Sequence, residues 1–181
     1  MNQTGDLRLI REVAGQTEPV TLAEAKTYLG VTNTAEDTLI TSQIAAARQI
    51  AEAFLSRDIV SKEYALTFIE TRTGVLHLYN APITSVTSVV IDGEAQVEDT
   101  GYELRGSTDD PVIYLTDTLT VFNTEEGIGP FNNVVISYTT TGLNNLVIQE
   151  GIKSILSDLY NQGMVSSMYK TILAPYRKLH I

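Results

Sequence analysis

Few residues in this chain could do covalent or metal chemistry. There are two histidines and no cysteine. His77 falls in a stretch of strand character and His180 is next to the last residue; neither stands in an HExxH or comparable metal spacing, so no metal set is expected. Carboxylates occur as adjacent pairs at Glu98-Asp99, Asp109-Asp110 and Glu125-Glu126, but no loop of oxygen ligands with EF-hand spacing surrounds them. They read as solvated loop charge. Gly127-Ile128-Gly129-Pro130 begins like a phosphate-binding loop, yet Pro130 and the missing helix after it make it a turn. No serine sits in a Gly-x-Ser-x-Gly elbow, and the absence of cysteine removes disulfides, thiol catalysis and cysteine zinc sites. The expectation is therefore no catalytic residue, no metal and no cofactor. That favours a structural or binding role over an enzyme.

The elements that would position any functional surface are clearer. Thr21-Leu22-Ala23-Glu24 has the form of a capping box, so a helix should start at Leu22, place Leu22, Ala25 and Leu29 on one face, and stop at Gly30. Thr34-Ala35-Glu36-Asp37 offers a second N-cap with two carboxylates in the first turn, where the helix dipole favours negative charge. From there Ile40, Ile44, Ala47, Ala51 and Phe54 recur at spacings of four and three. Gln43, Arg48, Gln49 and Glu52 are expected off that stripe, on a helix of about six turns that needs a partner for its apolar face.

After this helix the period changes to two. Tyr64, Leu66 and Phe68 alternate with Ala65, Thr67 and Ile69; a turn at Thr73-Gly74 leads into Val75–Tyr79; and Ile83–Ile91 is rich in β-branched residues. Asp92-Gly93 before Ala95-Gln96-Val97 predicts a type I′ hairpin. Tyr102–Arg105, Val112–Leu115, Leu119–Phe122 and Val134–Thr140 supply further short strands of a small sandwich or barrel-like sheet. Helical spacing returns after Asn144 or Asn145, with Ile148, Ile152, Ile155, Leu156 and Leu159 facing the stripe on residues 39–55. Gly163 and Ser166-Ser167 weaken the helix before Tyr169–Leu173, and Pro175 ends regular structure. At the front, Leu7, Leu9 and Val13 make a short edge strand, an arm on a neighbouring subunit, or a frayed end.

The order of a short capped helix, an acidic turn, an Ala-rich long helix with Arg48 and Glu52, and a Ser-Arg-Asp exit resembles the head-tail connector (adaptor) proteins of tailed bacteriophages. Ala81-Pro82-Ile83-Thr84-Ser85-Val86 looks like the start of the β insert found in longer members. Ile172-Leu173-Ala174-Pro175-Tyr176-Arg177 resembles the family's Leu-Leu-x-Pro-Tyr-Arg ending. The sequence departs from the pattern at Leu143-Asn144-Asn145-Leu146, where a Pro-containing turn is usual, and in a short span between the last long helix and the tail.

The resulting expectation is an α+β chain: an N-terminal arm over residues 1–18, an antiparallel helical core from residues 19–57 and 144–173, an inserted small antiparallel β subdomain over 58–143, and a tail over 174–181. The resemblance implies a structural protein of the virion neck, assembled in the host cytoplasm as a twelve-fold ring. Its partners would be further copies of itself, the portal protein, and a tail-side neck or tail-completion protein. On that resemblance Leu173, Pro175, Tyr176 and Arg177 would anchor the portal contact, extended by Lys178, Leu179 and Ile181. Tyr and Arg are favoured at interface hot spots. The other reading of the same segment is that Ile172, Leu173 and Tyr176 pack on their own helical core.

Charge fits this without proving it. The net charge is −10; residues 58–143 hold 13 acids against 3 bases, whereas residues 144–181 hold 2 against 4. Such a surface should not bind nucleic acid, because phosphate affinity needs clustered Lys and Arg. DNA would pass through a ring without sequence-specific contact. No apolar run approaches bilayer length, and the first thirteen residues, MNQTGDLRLIREV, lack a signal-peptide layout, which predicts a soluble chain made without export and no membrane partner. From a different functional class, the alternative is a virion β-domain module that contacts a carbohydrate or receptor through Tyr102, Tyr114 and Phe131.

Overall fold

The computed structural model describes residues 6–12, 16–71, 74–80, 82–116 and 131–178. The chain is α+β, and it divides into two compact units: residues 15–60 with 142–181, and residues 1–14 with 61–141. Among the described residues no helix is long and apolar enough to cross a membrane.

The first unit is helical. Helix α1, Leu22–Leu29, starts on the capping box: Glu24 N–H donates to Thr21 Oγ1 and Thr21 N–H to the Glu24 carboxylate, while Gly30 takes the left-handed cap at φ 72°. Helix α2, Asp37–Leu55, begins later than the sequence suggests. Thr34 does not cap it: Thr34 spends its carbonyl on a tight turn to Asp37 N–H, and Glu36 stands at the N-cap position without a side-chain cap. Helix α3, Leu146–Gln162, is capped by Asn145, whose Oδ1 accepts from Val147 and Ile148 N–H, and closes on Gly163. Helix α4, Met168–Leu173, runs into a short 3-10 turn over Ala174–Tyr176, where the Pro175 ring removes a donor.

Ile40, Ile44, Ala47, Ala51 and Leu55 of α2 are buried with Ile148, Ile152, Ile155 and Leu156 of α3, so the two apolar stripes, far apart in sequence, close on each other. The expectation that Arg48 and Glu52 lie off the buried face fails. Both are buried, at 2% and 8% exposure. They are tolerated there because they satisfy one another: Arg48 Nη1 lies 3.2 Å from Glu52 Oε2, and Arg48 Nε lies 2.8 Å from Glu18 Oε2. Glu52 Oε1 then accepts from Ile59 N–H at 2.9 Å and Val60 N–H at 3.4 Å, fixing the path of the chain after α2.

Among the described residues the second unit is made of β-strands, which pair antiparallel. Strand β1 is Asp6–Glu12, β2 Lys62–Thr71, β3 Val75–His77, β4 Ile83–Ile91, β5 Glu94–Gln96, β6 Tyr102–Ser107, β7 Asp110–Leu115 and β8 Phe131–Thr140. They form a five-stranded sheet in the order β1-β2-β8-β4-β5 and a three-stranded sheet in the order β3-β7-β6. Residues 6–12 are thus the edge strand next to β2, the first of the three readings of that segment. β3 belongs to the three-stranded sheet, where it pairs with β7; the turn expected at Thr73-Gly74 lies partly outside the described residues. The β4–β5 hairpin turns at Asp92 and Gly93, both with positive φ (50° and 92°), as a type I′ turn demands. β6 and β7 pair out to Ser107 and Asp110, so both strands run beyond the expected Tyr102–Arg105 and Val112–Leu115. The call for a strand at Leu119–Phe122 lies outside the described residues.

Large side chains fill this core. Tyr64 and Tyr138 are cross-strand partners whose rings stack at 5.2 Å. Their hydroxyls stay satisfied: Asn80 Nδ2 donates to Tyr64 at 2.7 Å, and Tyr138 O–H donates to the Tyr79 carbonyl at 3.2 Å. Of the aromatics named for a β-domain binding site, Tyr102 is buried, at 5% exposure, Tyr114 lies under the Arg105 guanidinium with 4.8 Å from carbon to ring centre, and the Phe131 side chain is outside the described residues.

Candidate functional site

The side chains capable of acid, base or metal chemistry do not gather at one place among the described residues. His77 is half-buried in β3, and His180 lies outside the described residues. Among the described residues no group of three or more His, Asp or Glu side chains converges as a metal site would require. A shallow depression of roughly 330 Å³ beside α1 is lined by Ala23, Glu24, Thr27, Tyr28 and Lys153. Its only acid, Glu24, is held below the ordinary carboxylate range by the Thr21 backbone N–H and then the Thr21 hydroxyl. A carboxylate engaged by its own helix cap is a poor general base. Buried Tyr102 is pushed up, first by burial and then by the charges of Glu98 and Asp99. Tyr160 is also raised, chiefly because its O–H donates to Glu36 at 2.6 Å.

What the helical unit does build is a seat for the C-terminal segment. Gly151, in the middle of α3, presents bare backbone, and Leu173 of α4 fills the space: a Cβ added at Gly151 would lie 2.5 Å from Leu173 Cδ2 and 2.7 Å from Cγ. Leu173 is fully buried. Phe54 of α2 forms the other wall. Tyr169 meets its ring edge-on at 5.5 Å between centroids, and the Arg177 guanidinium carbon lies 5.1 Å from the ring centre. Arg177 N–H donates to the Ala174 carbonyl at 3.2 Å, and Lys178 N–H reaches the last turn of α2, donating to the Leu55 carbonyl at 2.9 Å.

The residues named for the tail contact are therefore divided. Leu173 belongs to the core of its own unit and offers nothing to a partner in this conformation. Tyr176 is half-buried against the same core. Pro175 and Arg177 are exposed, Lys178 is half-exposed, and Leu179 and Ile181 lie outside the described residues. Phe54 and Gly151 complete the site, although neither stands out as part of it in the sequence. Gly151 does carry a signal: a glycine inside an apolar helix costs stability and so marks a packing need.

A helical unit split in sequence by an antiparallel β unit defines the chain as an α+β protein with an inserted sheet. Residues 19–102 match the model of the phage gp6-like head-tail connector family, which the chain therefore resembles. No curated protein matches the sequence. Among solved structures, the fold is similar to a chain in the virion of a native gene transfer agent particle, with TM-score 0.69, 18% identity, and 96% of this chain and 97% of that one covered. It is also similar to chains in the neck of the empty particle, computed with C6 symmetry (TM-score 0.68, 17% identity), and in the neck of the native particle, computed with C12 symmetry (TM-score 0.64, 16% identity). Both pairs have the same 96% and 97% coverage.

Proposed function

We propose that this chain is a structural adaptor of the neck of a tailed phage or phage-like particle, built as a closed ring under the portal that joins the DNA-filled head to the tail. One observation carries the reading: the connector-family match over residues 19–102 coincides with a fold likeness to neck chains that runs over 96% of the chain. A ring needs head-to-tail interfaces that close by rotation, and the C12 symmetry used for one matched neck supports twelve copies. DNA would pass through the ring without sequence-specific contact, the acids of residues 58–143 repelling its backbone where they face the channel.

The partner on the head side is the portal protein, and on the tail side the next neck or tail-completion protein. The C-terminal segment makes the portal contact through Pro175, Tyr176, Arg177 and Lys178, continued by Leu179 and Ile181. Leu173 works from inside, holding that segment to its own subunit. The test is removal of residues 174–181, followed by sedimentation with and without portal oligomers. The reading expects an unchanged fold and lost co-sedimentation; a truncated chain that still co-sediments at full strength contradicts it.

A further inference from the structure

We propose that residues 168–178 are a latch, which docks as one unit between α2 and α3 with Leu173 caught at Gly151, and that the docked latch is the form that presents Pro175 and Arg177 to a partner. The second half rests on the function proposed above; the first does not. A six-residue helix such as α4 is not stable alone in water, because helix nucleation is costly and only tertiary packing offsets it at this length. Its folding and its docking are then one event. The anchoring is also concentrated: Leu173 at Gly151, Tyr169 and Arg177 on Phe54, and the Lys178 N–H on the Leu55 carbonyl.

The segment leading into the latch has the means to be a hinge. Gly163 adopts φ 65° with open space around its Cα, and Met164 is exposed. Ser166 N–H donates to Asp158 Oδ2 at 2.9 Å, which returns the chain to α3. The outer side of the latch, with Lys170, Thr171, Ala174, Pro175 and Arg177, faces solvent. Docking thus sorts the segment into an inward apolar side and an outward side that keeps Pro175 and Arg177 in one fixed register. A tail lifted from the seat would lose its helix and that register together.

Gly151→Ala tests this by sign. Alanine favours the helix that carries it over glycine, so without the latch the substitution strengthens α3. With the latch, the new methyl meets Leu173 and unseats it. Hydrogen exchange of the full chain should then show the amides of Lys170, Arg177 and Lys178 exchanging about 100-fold faster, while those of α2, the rest of α3 and the sheets keep their protection. Unchanged exchange at those three amides, or an equal rise throughout the helical unit, overturns the latch. Should Gly151→Ala fold poorly, Leu173→Ala is expected to give the same local pattern, and a global rise there overturns it too.

With portal oligomers as probe, Gly151→Ala should bind about tenfold more weakly, since a segment that must first be ordered binds with reduced apparent affinity. Deletion of residues 174–181 separates the claims. If that deletion leaves binding intact, the portal reading is wrong. If it abolishes binding while Gly151→Ala binds like the unaltered chain, the docked latch is not the presenting form.

Discussion

The two units reach a buried core by different means. The β unit fills its interior with large side chains, among them Tyr64, Phe68, Tyr102 and Tyr138, and satisfies the Tyr64 and Tyr138 hydroxyls at the edge of the stack. The helical unit packs Ile40, Ile44, Leu55, Ile148, Ile152, Ile155 and Leu156 around small residues, Ala25, Ala47, Ala51 and Gly151, that let helices approach closely, and the buried Arg48 is tied to Glu18 and Glu52. A core of large residues is vulnerable to truncation, and a core of small residues to enlargement. The close approach at Gly151 leaves one position for Leu173 and no slack.

The sharpest break in this comparison is truncation in the β unit. Phe68→Ala should cost about 4 kcal/mol in urea denaturation, because the ring is 2% exposed and the surrounding sheets cannot collapse around the void. A loss below about 1 kcal/mol means that the core there is looser than described. Next is Arg48→Ala, which strands two carboxylates and should cost about 3 kcal/mol by the same measurement. A neutral result would mean that the network adds nothing beyond its packing.

Enlargement sharpens the other side. Ala51→Leu should cost about 2 kcal/mol through overpacking, since Ala51 is fully buried; an equal or higher midpoint removes the claim of a close seam. Asn145→Ala, which deletes the α3 cap, should cost about 1 kcal/mol. The smallest effect is one of pH. Tyr160 donates to Glu36, and its pKa is raised by that bond above the ordinary 10.0. Its contribution is therefore present below pH 10 and fades as pH climbs through the raised value. Tyr160→Phe should flatten stability against pH in that alkaline window, and a wild-type slope in the variant would sink the assignment.

How much of this was legible in the sequence depends on whether the signal was local. The α1 capping box, the Asn145 cap, the Asp92-Gly93 hairpin and the apolar stripes of α2 and α3 are written in spacings of two to four residues, and the structure has them. Arg48 and Glu52 were misread because periodicity sorts residues by polarity and cannot see that Glu18, thirty residues earlier, arrives to pair the charge. The sequence names no neighbour for β3, because strand pairing is a long-range choice that a local turn signal does not settle. In the tail, the Leu-x-Pro-Tyr-Arg pattern marked an unusual segment but could not say which side chains face inward. That required Gly151 and Phe54, both outside the motif.

Native mass spectrometry of the full-length chain mixed with portal oligomers tests the central claim most directly. The account predicts a defined assembly in which a closed ring of twelve copies rides on the portal, and its disappearance when residues 174–181 are removed. Only monomer beside free portal, at concentrations where both are folded, would contradict it.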